Sequence, residues 1–81
     1  MYYTYIIYSD RLCRYYVGST KDLESRLLRH QNNHTKSTKG KGPWRLVLSF
    51  SFPSRSEAVK MEMKIKKRGA KRFIEDQKQS G

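Results

Sequence analysis

Cations and hydroxyls are the side-chain groups that meet a phosphate, and one stretch of this chain supplies both close together. Tyr3-Thr4-Tyr5 and Tyr16-Val17-Gly18-Ser19-Thr20 lie in two β-rich runs, and Arg26 and His30 follow in a helical segment. A strand-strand-helix unit of this kind gathers two tyrosines, an arginine and a histidine, a composition that can activate water beside a phosphate. Arg26 suits the phosphate because a planar guanidinium holds two oxygens at once and does not deprotonate. At ~100° per residue, Arg26 and His30 flank the apolar stripe of Leu23 and Leu27 and do not point fully to solvent.

A carboxylate enters from further along. Ala58, Met61 and Ile65 form an i, i+3, i+7 stripe, and Glu62 lies within it. A carboxylate on a core-facing stripe needs a cation, a metal or a network of donors to offset its desolvation. A surface pair with Lys66, one turn on, is the structural alternative. The other acids fall elsewhere: Glu57 reads as a capping residue, and Asp10, Asp22, Glu24, Glu75 and Asp76 sit at turns, helix starts or the tail. With one acid available, a single divalent ion held by Glu62 and waters is the expected arrangement, and Mg²⁺ or Mn²⁺ is the expected cofactor. No organic cofactor is expected.

With no second carboxylate, the group that deprotonates water stays open at this point. Tyr5 or Tyr16 serves only if cations such as Arg26 and Lys21 draw a phenol pKa down from ~10, or if the metal acidifies the water first. His30 is the other candidate base.

These side chains must be held by a small scaffold. Tyr2 to Tyr8 and Tyr15 to Ser19 read as a hairpin joined through about Ser9 to Arg14. Gly18 offers backbone freedom to leave the second strand and approach a ligand. Thr20 or Asp22 can cap a helix from about Leu23 to Asn32. A polar loop from Asn32 to Pro43 precedes a third strand, Trp44 to Phe52, that reads as largely alternating. Ser54 and Glu57 match a capping box for a second helix from Arg55 to Lys67, stopping before Gly69, and a short last helix runs from Ala70 to about Lys78 on Phe73 and Ile74. Alternation puts Tyr3 and Tyr5 on one sheet face and Tyr2 and Tyr8 on the other. The order β-β-α-β-α-α predicts an α+β domain, residues 1–81, with a small three-stranded, mainly antiparallel sheet flanked by helices.

Composition bounds the partners. Eighteen Lys and Arg against seven Asp and Glu leave a net charge of +11, a balance suited to a polyanion. The single cysteine, Cys13, excludes an internal disulfide framework and a Cys-based zinc cluster. Without a basic leader ahead of a long apolar run or any apolar stretch near ~18 residues, the expectation is a soluble, cytoplasmic protein that does not bind membrane.

The two tyrosine tripeptides, Arg26 ten residues past Tyr16, and the later Ala58-x-x-x-Glu62-x-x-Ile65-Lys66 resemble the GIY-YIG nuclease family over nearly the whole chain. That resemblance implies Tyr5 and Tyr16 as the catalytic pair, Arg26 as the group neutralising the scissile phosphate, His30 beside them, and Glu62 as the metal-binding residue. It implies a metal-dependent endonuclease acting on DNA. With no attached DNA-reading module, weak sequence specificity is expected, and exposed aromatics that could stack on unpaired bases extend the expected substrates to single-stranded or branched DNA. Nucleic-acid contacts are expected from Ser19, Lys21, Arg29 and Lys66, and from Lys36, Lys39 and Lys41 in the cationic loop. Trp44 reads as a core anchor. The chain departs from the family in four places, one of them Val17, which stands where the second tripeptide has isoleucine. Tyr-Thr-Tyr lacks a leading glycine, Ser19 stands where some members carry lysine, leaving that charge to Lys21, and Ile74 stands where some carry asparagine. The rival expectation is a nucleic-acid-binding module without turnover, serving a repair or RNA-processing assembly.

Overall fold

The computed structural model describes residues 1–31 and 43–79. The cationic loop, with Lys36, Lys39 and Lys41, lies outside the described residues. Three strands and three helices follow in the expected order: β1 (Tyr2–Ser9), β2 (Arg14–Thr20), α1 (Leu23–Gln31), β3 (Trp44–Phe52), α2 (Arg55–Arg68) and α3 (Ala70–Gln79). β1 is the centre of an antiparallel sheet ordered β2-β1-β3. Its run of Ile and Tyr suits a strand buried on both faces.

The two faces carry separate apolar clusters. Ile6 and Val17 meet Ile65, Phe73 and Ile74 of α2 and α3, while Tyr5, Ile7 and Trp44 meet Tyr16, Leu23 and Leu27 on the α1 side. Tyr5 and Ile6, adjacent in sequence, thus anchor opposite layers, as the period of a strand requires.

β3 departs from simple alternation. Ile6 pairs with Leu48 but Ile7 pairs with Leu46, so Val47 is an extra residue in the ladder. This bulge shifts the parity of the strand. Leu48 and Phe50 face α2 and α3, whereas Trp44, also even-numbered, faces the α1 side and is buried there. Trp44 is held further by Gln31, whose side-chain carbonyl accepts from Trp44 N at 3.0 Å and whose amide donates to Trp44 O. The end of α1 is thereby pinned to the start of β3, and the core-anchor reading of Trp44 holds.

Local signals fix the helix ends. Asp22 Oδ1 accepts from Ser25 N at 3.1 Å, making Asp22 the cap of α1, with Thr20 Oγ1 accepting from Asp22 N one step earlier. Ser54 accepts from Glu57 N at 3.4 Å, and the Glu57 carboxylate returns to the Ser54 hydroxyl. Gly69, with φ of 95°, closes α2 through its N–H to Ile65 O. Thr4, fully buried, donates to Ala58 O at 2.6 Å and ties α2 to the central strand one turn before Glu62.

Candidate active site

Tyr5 stands at the centre of the site. It leaves β1 on the α1 side, next to Tyr16 of β2, with ring centroids 6.5 Å apart, and next to His30 of α1, 5.7 Å away. Tyr16 and His30 meet edge-on at 5.1 Å, and Tyr16 meets Trp44 at 6.3 Å. These three expected residues are therefore brought into one aromatic cluster. Tyr5 pairs with Gly18 across the ladder. Gly18 does not end the strand, contrary to expectation, but leaves room: a Cβ there would fall 2.5 Å from the Tyr5 hydroxyl oxygen.

The Tyr5 hydroxyl lies 2.9 Å from His30 Nε2. Burial, foremost, and neighbouring Tyr16 push the Tyr5 phenol above its ordinary value of 10.0; Glu62 adds to the rise, and the charge and hydrogen bond of Arg26 oppose it without prevailing. The cations thus do not prepare Tyr5 as a base, and it stays a neutral phenol at pH 7. His30 is buried at 1% exposure. Burial and the charge of Arg26 lower its pKa below 6.5, so the ring is neutral and enclosed. His30 holds Tyr5 in place and does not open onto solvent.

Arg26 and Glu62 belong to opposite layers. Both influence the Tyr5 phenol electrostatically, although Arg26 rides on α1 and Glu62 on α2. Glu62 sits on the stripe of Ala58 and Ile65 with 18% of its side chain exposed. Its Oε1 accepts from Ser19 Oγ at 2.8 Å and its Oε2 from Lys66 Nζ at 2.7 Å. The pair with Lys66 is the structural alternative raised by the helix spacing. The donation from Ser19 has no such sequence signal, since it depends on β2 lying beside α2.

Among the described residues, no three His, Cys, Asp or Glu side chains form a cluster that could hold a metal. Glu62 alone fits an ion, as an oxygen ligand with spare lone pairs on a half-buried carboxylate. A hard cation that keeps most of its waters accepts one such ligand, provided Lys66 yields its place.

Beside the cluster, a cleft of about 390 Å³ opens between the end of β2, the start of α1 and the first turn of α2. Ser19, Lys21, Ser25, Arg26, Arg29 and Arg55 line it. Ser19, Lys21 and Arg29, three of the residues expected to contact nucleic acid, thus share one cleft, while Lys66 is occupied with Glu62. Arg55 was missed. It stands two turns before Glu62, an i, i+7 relation that places both on one face of α2. Among the described residues no helix is long and apolar enough to cross a membrane.

Several known proteins resemble this chain in sequence or fold. The UPF0213 protein BH0048 of Halalkalibacterium halodurans is 40% identical over 53 residues, which is 64% of this chain and 56% of that protein. A UPF0213 protein of Staphylococcus saprophyticus is 42% identical over 52 residues, 63% of each chain. That of Pectobacterium carotovorum is 38% identical over 69 residues, 80% of this chain and 70% of its own. The matched stretch thus spans 56% to 63% of the first two relatives. The solution structure of the UPF0213 protein BH0048 from Bacillus halodurans superposes with a TM-score of 0.55 and 34% identity, covering 99% of this chain and 84% of that one. The family model of the GIY-YIG catalytic domain matches residues 1–75. The chain belongs to the GIY-YIG family of nuclease-type catalytic domains.

Proposed function

We propose that this protein is a divalent-metal-dependent endonuclease that hydrolyses DNA phosphodiester bonds with weak sequence specificity. One observation carries the reading: Arg26 lines a cationic cleft together with Ser19, and Ser19 donates to the Glu62 carboxylate at 2.8 Å, so the arginine and the acid serve one site. A structural ion pair would join the two charges directly. Here the acid is held by Ser19 and Lys66, and the arginine lines the cleft.

In this reading Arg26 takes two oxygens of the scissile phosphate and offsets the charge that grows on them. Glu62, oriented by Ser19, would hold Mg²⁺ or Mn²⁺, which would supply further neutralisation of the phosphate. Tyr16 and Tyr5 position the attacking water. Tyr5 can accept a proton at its oxygen as its own passes to neutral His30 Nε2, so His30 acts through Tyr5 as a positioning and relay residue. Lys21 and Arg29 contact the backbone, so backbone charge supplies most of the affinity.

The rival reading, a nucleic-acid-binding module without turnover, is favoured by the double engagement of Glu62. Cleavage of end-labelled single-stranded, duplex and branched DNA separates the two. Wild type with Mg²⁺ or Mn²⁺ is expected to cut, and EDTA, Glu62→Ala and Arg26→Ala each to abolish cutting while Glu62→Ala still binds. Binding without cutting under either metal would leave the module as the function.

A further inference from the structure

The cleft holds more cations than one phosphate requires. Besides Arg26, it is lined by Lys21, Arg29 and Arg55, and among the described residues none of these three takes part in an ion pair. Three acids are committed elsewhere: Asp10 pairs with Arg45, Glu62 with Lys66 and Asp76 with Arg68. Asp22 also lines the cleft, so four cations there face one carboxylate. Like charges gathered in a recess focus their field on whatever anion enters it. Arg29 comes from α1 and Arg55 from α2, so an anion between them is gripped from both walls. Tyr2, half-buried on β1, lines the same space.

We propose that this part of the cleft is a second nucleic-acid subsite. Arg29 and Arg55 clasp a backbone phosphate neighbouring the one at Arg26, and Tyr2 stacks on the unpaired base between them. The substrate is then a strand unpaired beside the cut. A base inside a duplex is already stacked on its neighbours and has no face to offer Tyr2, whereas an unpaired base of any identity does. The proposal rests on the nuclease reading only for the phosphate at Arg26.

The test measures binding in EDTA, by fluorescence anisotropy, of a labelled single-stranded DNA and of the duplex of the same sequence across about 50–200 mM salt. Wild type is expected to prefer the single strand. Arg55→Ala and Arg29→Ala should each reduce the slope of log K against log salt by about 0.7 on the single strand. The double variant should show that same single reduction, because the one phosphate is held only when both side chains grip it. Tyr2→Ala and the strand-compatible Tyr2→Thr should each weaken single-strand binding by about tenfold and duplex binding far less, with Tyr2→Phe close to wild type. An unchanged slope in Arg55→Ala overturns the clasp. Equal loss on both forms of DNA in Tyr2→Thr overturns the stacking. Because binding is read without turnover, a protein that binds in this way and never cuts refutes the nuclease reading and leaves the subsite standing. One that cuts, with its Arg55→Ala slope unchanged, does the reverse.

Discussion

Gly18 and Tyr5 face each other across the central ladder, and the hydroxyl of the one fills the space where the other has no side chain. A Cβ on Gly18 would meet Tyr5 Oη at 2.5 Å and Cζ at 2.8 Å. The ring cannot swing aside, because it is buried and its hydroxyl is held by His30. Glycine inside a strand is ordinarily a weakness that alanine would repair, so the clash decides the sign. Gly18→Ala should lose about 1–3 kcal/mol of stability in urea denaturation, and Tyr5→Phe in that background should restore part of it. A neutral or stabilising Gly18→Ala would mean that Tyr5 does not lie over Gly18.

Arg26→Lys tests geometry apart from charge. Lysine keeps the cation but loses the planar fork. If Arg26 holds two phosphate oxygens in the transition state, kcat should fall by about 10²–10³-fold with little change in melting temperature. Retention of more than a tenth of wild-type kcat would assign Arg26 a simpler electrostatic part.

Lys66 and a divalent ion compete for the same carboxylate, since Lys66 Nζ lies 2.7 Å from Glu62 Oε2. Lys66→Met should therefore tighten Mn²⁺ binding, followed by the loss of the free-ion EPR signal, by about two- to fivefold, the range of a partly exposed ion pair. Glu62→Gln should abolish binding, and Lys66→Met with unaltered affinity would place the ion elsewhere.

The buried His30–Tyr5 pair makes stability depend on pH at both ends. In the folded protein the His30 pKa is lowered below 6.5, so below that pH the unfolded chain binds more protons and stability falls as the solution is acidified. The Tyr5 phenol is raised above 10.0, so its contribution is complete below pH 10 and is lost as pH climbs further. Thermal melts from pH 5 to 8 should rise with pH in wild type and rise less in His30→Gln. Equal slopes in the two proteins would show that His30 titrates normally.

Thr4→Val replaces a buried hydroxyl by a methyl and removes its bond to Ala58 O. About 1 kcal/mol of stability should be lost. Because that bond sets α2 against the sheet one turn ahead of Glu62, Mn²⁺ affinity should fall as well. A stability change alone would limit Thr4 to packing.

Much of this protein was legible from local rules. Strand-forming Tyr and Ile runs, the Asp22 and Ser54 caps and Gly69 after α2 act within a few residues of themselves, and they determined the six elements and their order. The stripe positions of Glu62 and Arg26 were legible for the same reason, since a helix period needs no partner to be read. Other features required two distant segments to meet. The bulge at Val47 is invisible to alternation until Ile6 and Ile7 choose their partners, and only then does Trp44 turn to the face of Tyr5. The bond of Ser19 to Glu62 spans 43 residues, and Gly18 proved to be a matter of space for Tyr5 instead of backbone freedom. The enclosure of His30, which removes it from solvent and keeps it neutral, is likewise the work of packing. Sequence determined which residue types stand on which face of each element; tertiary structure decided which faces meet, because burial, and with it protonation and reach, belongs to no single segment.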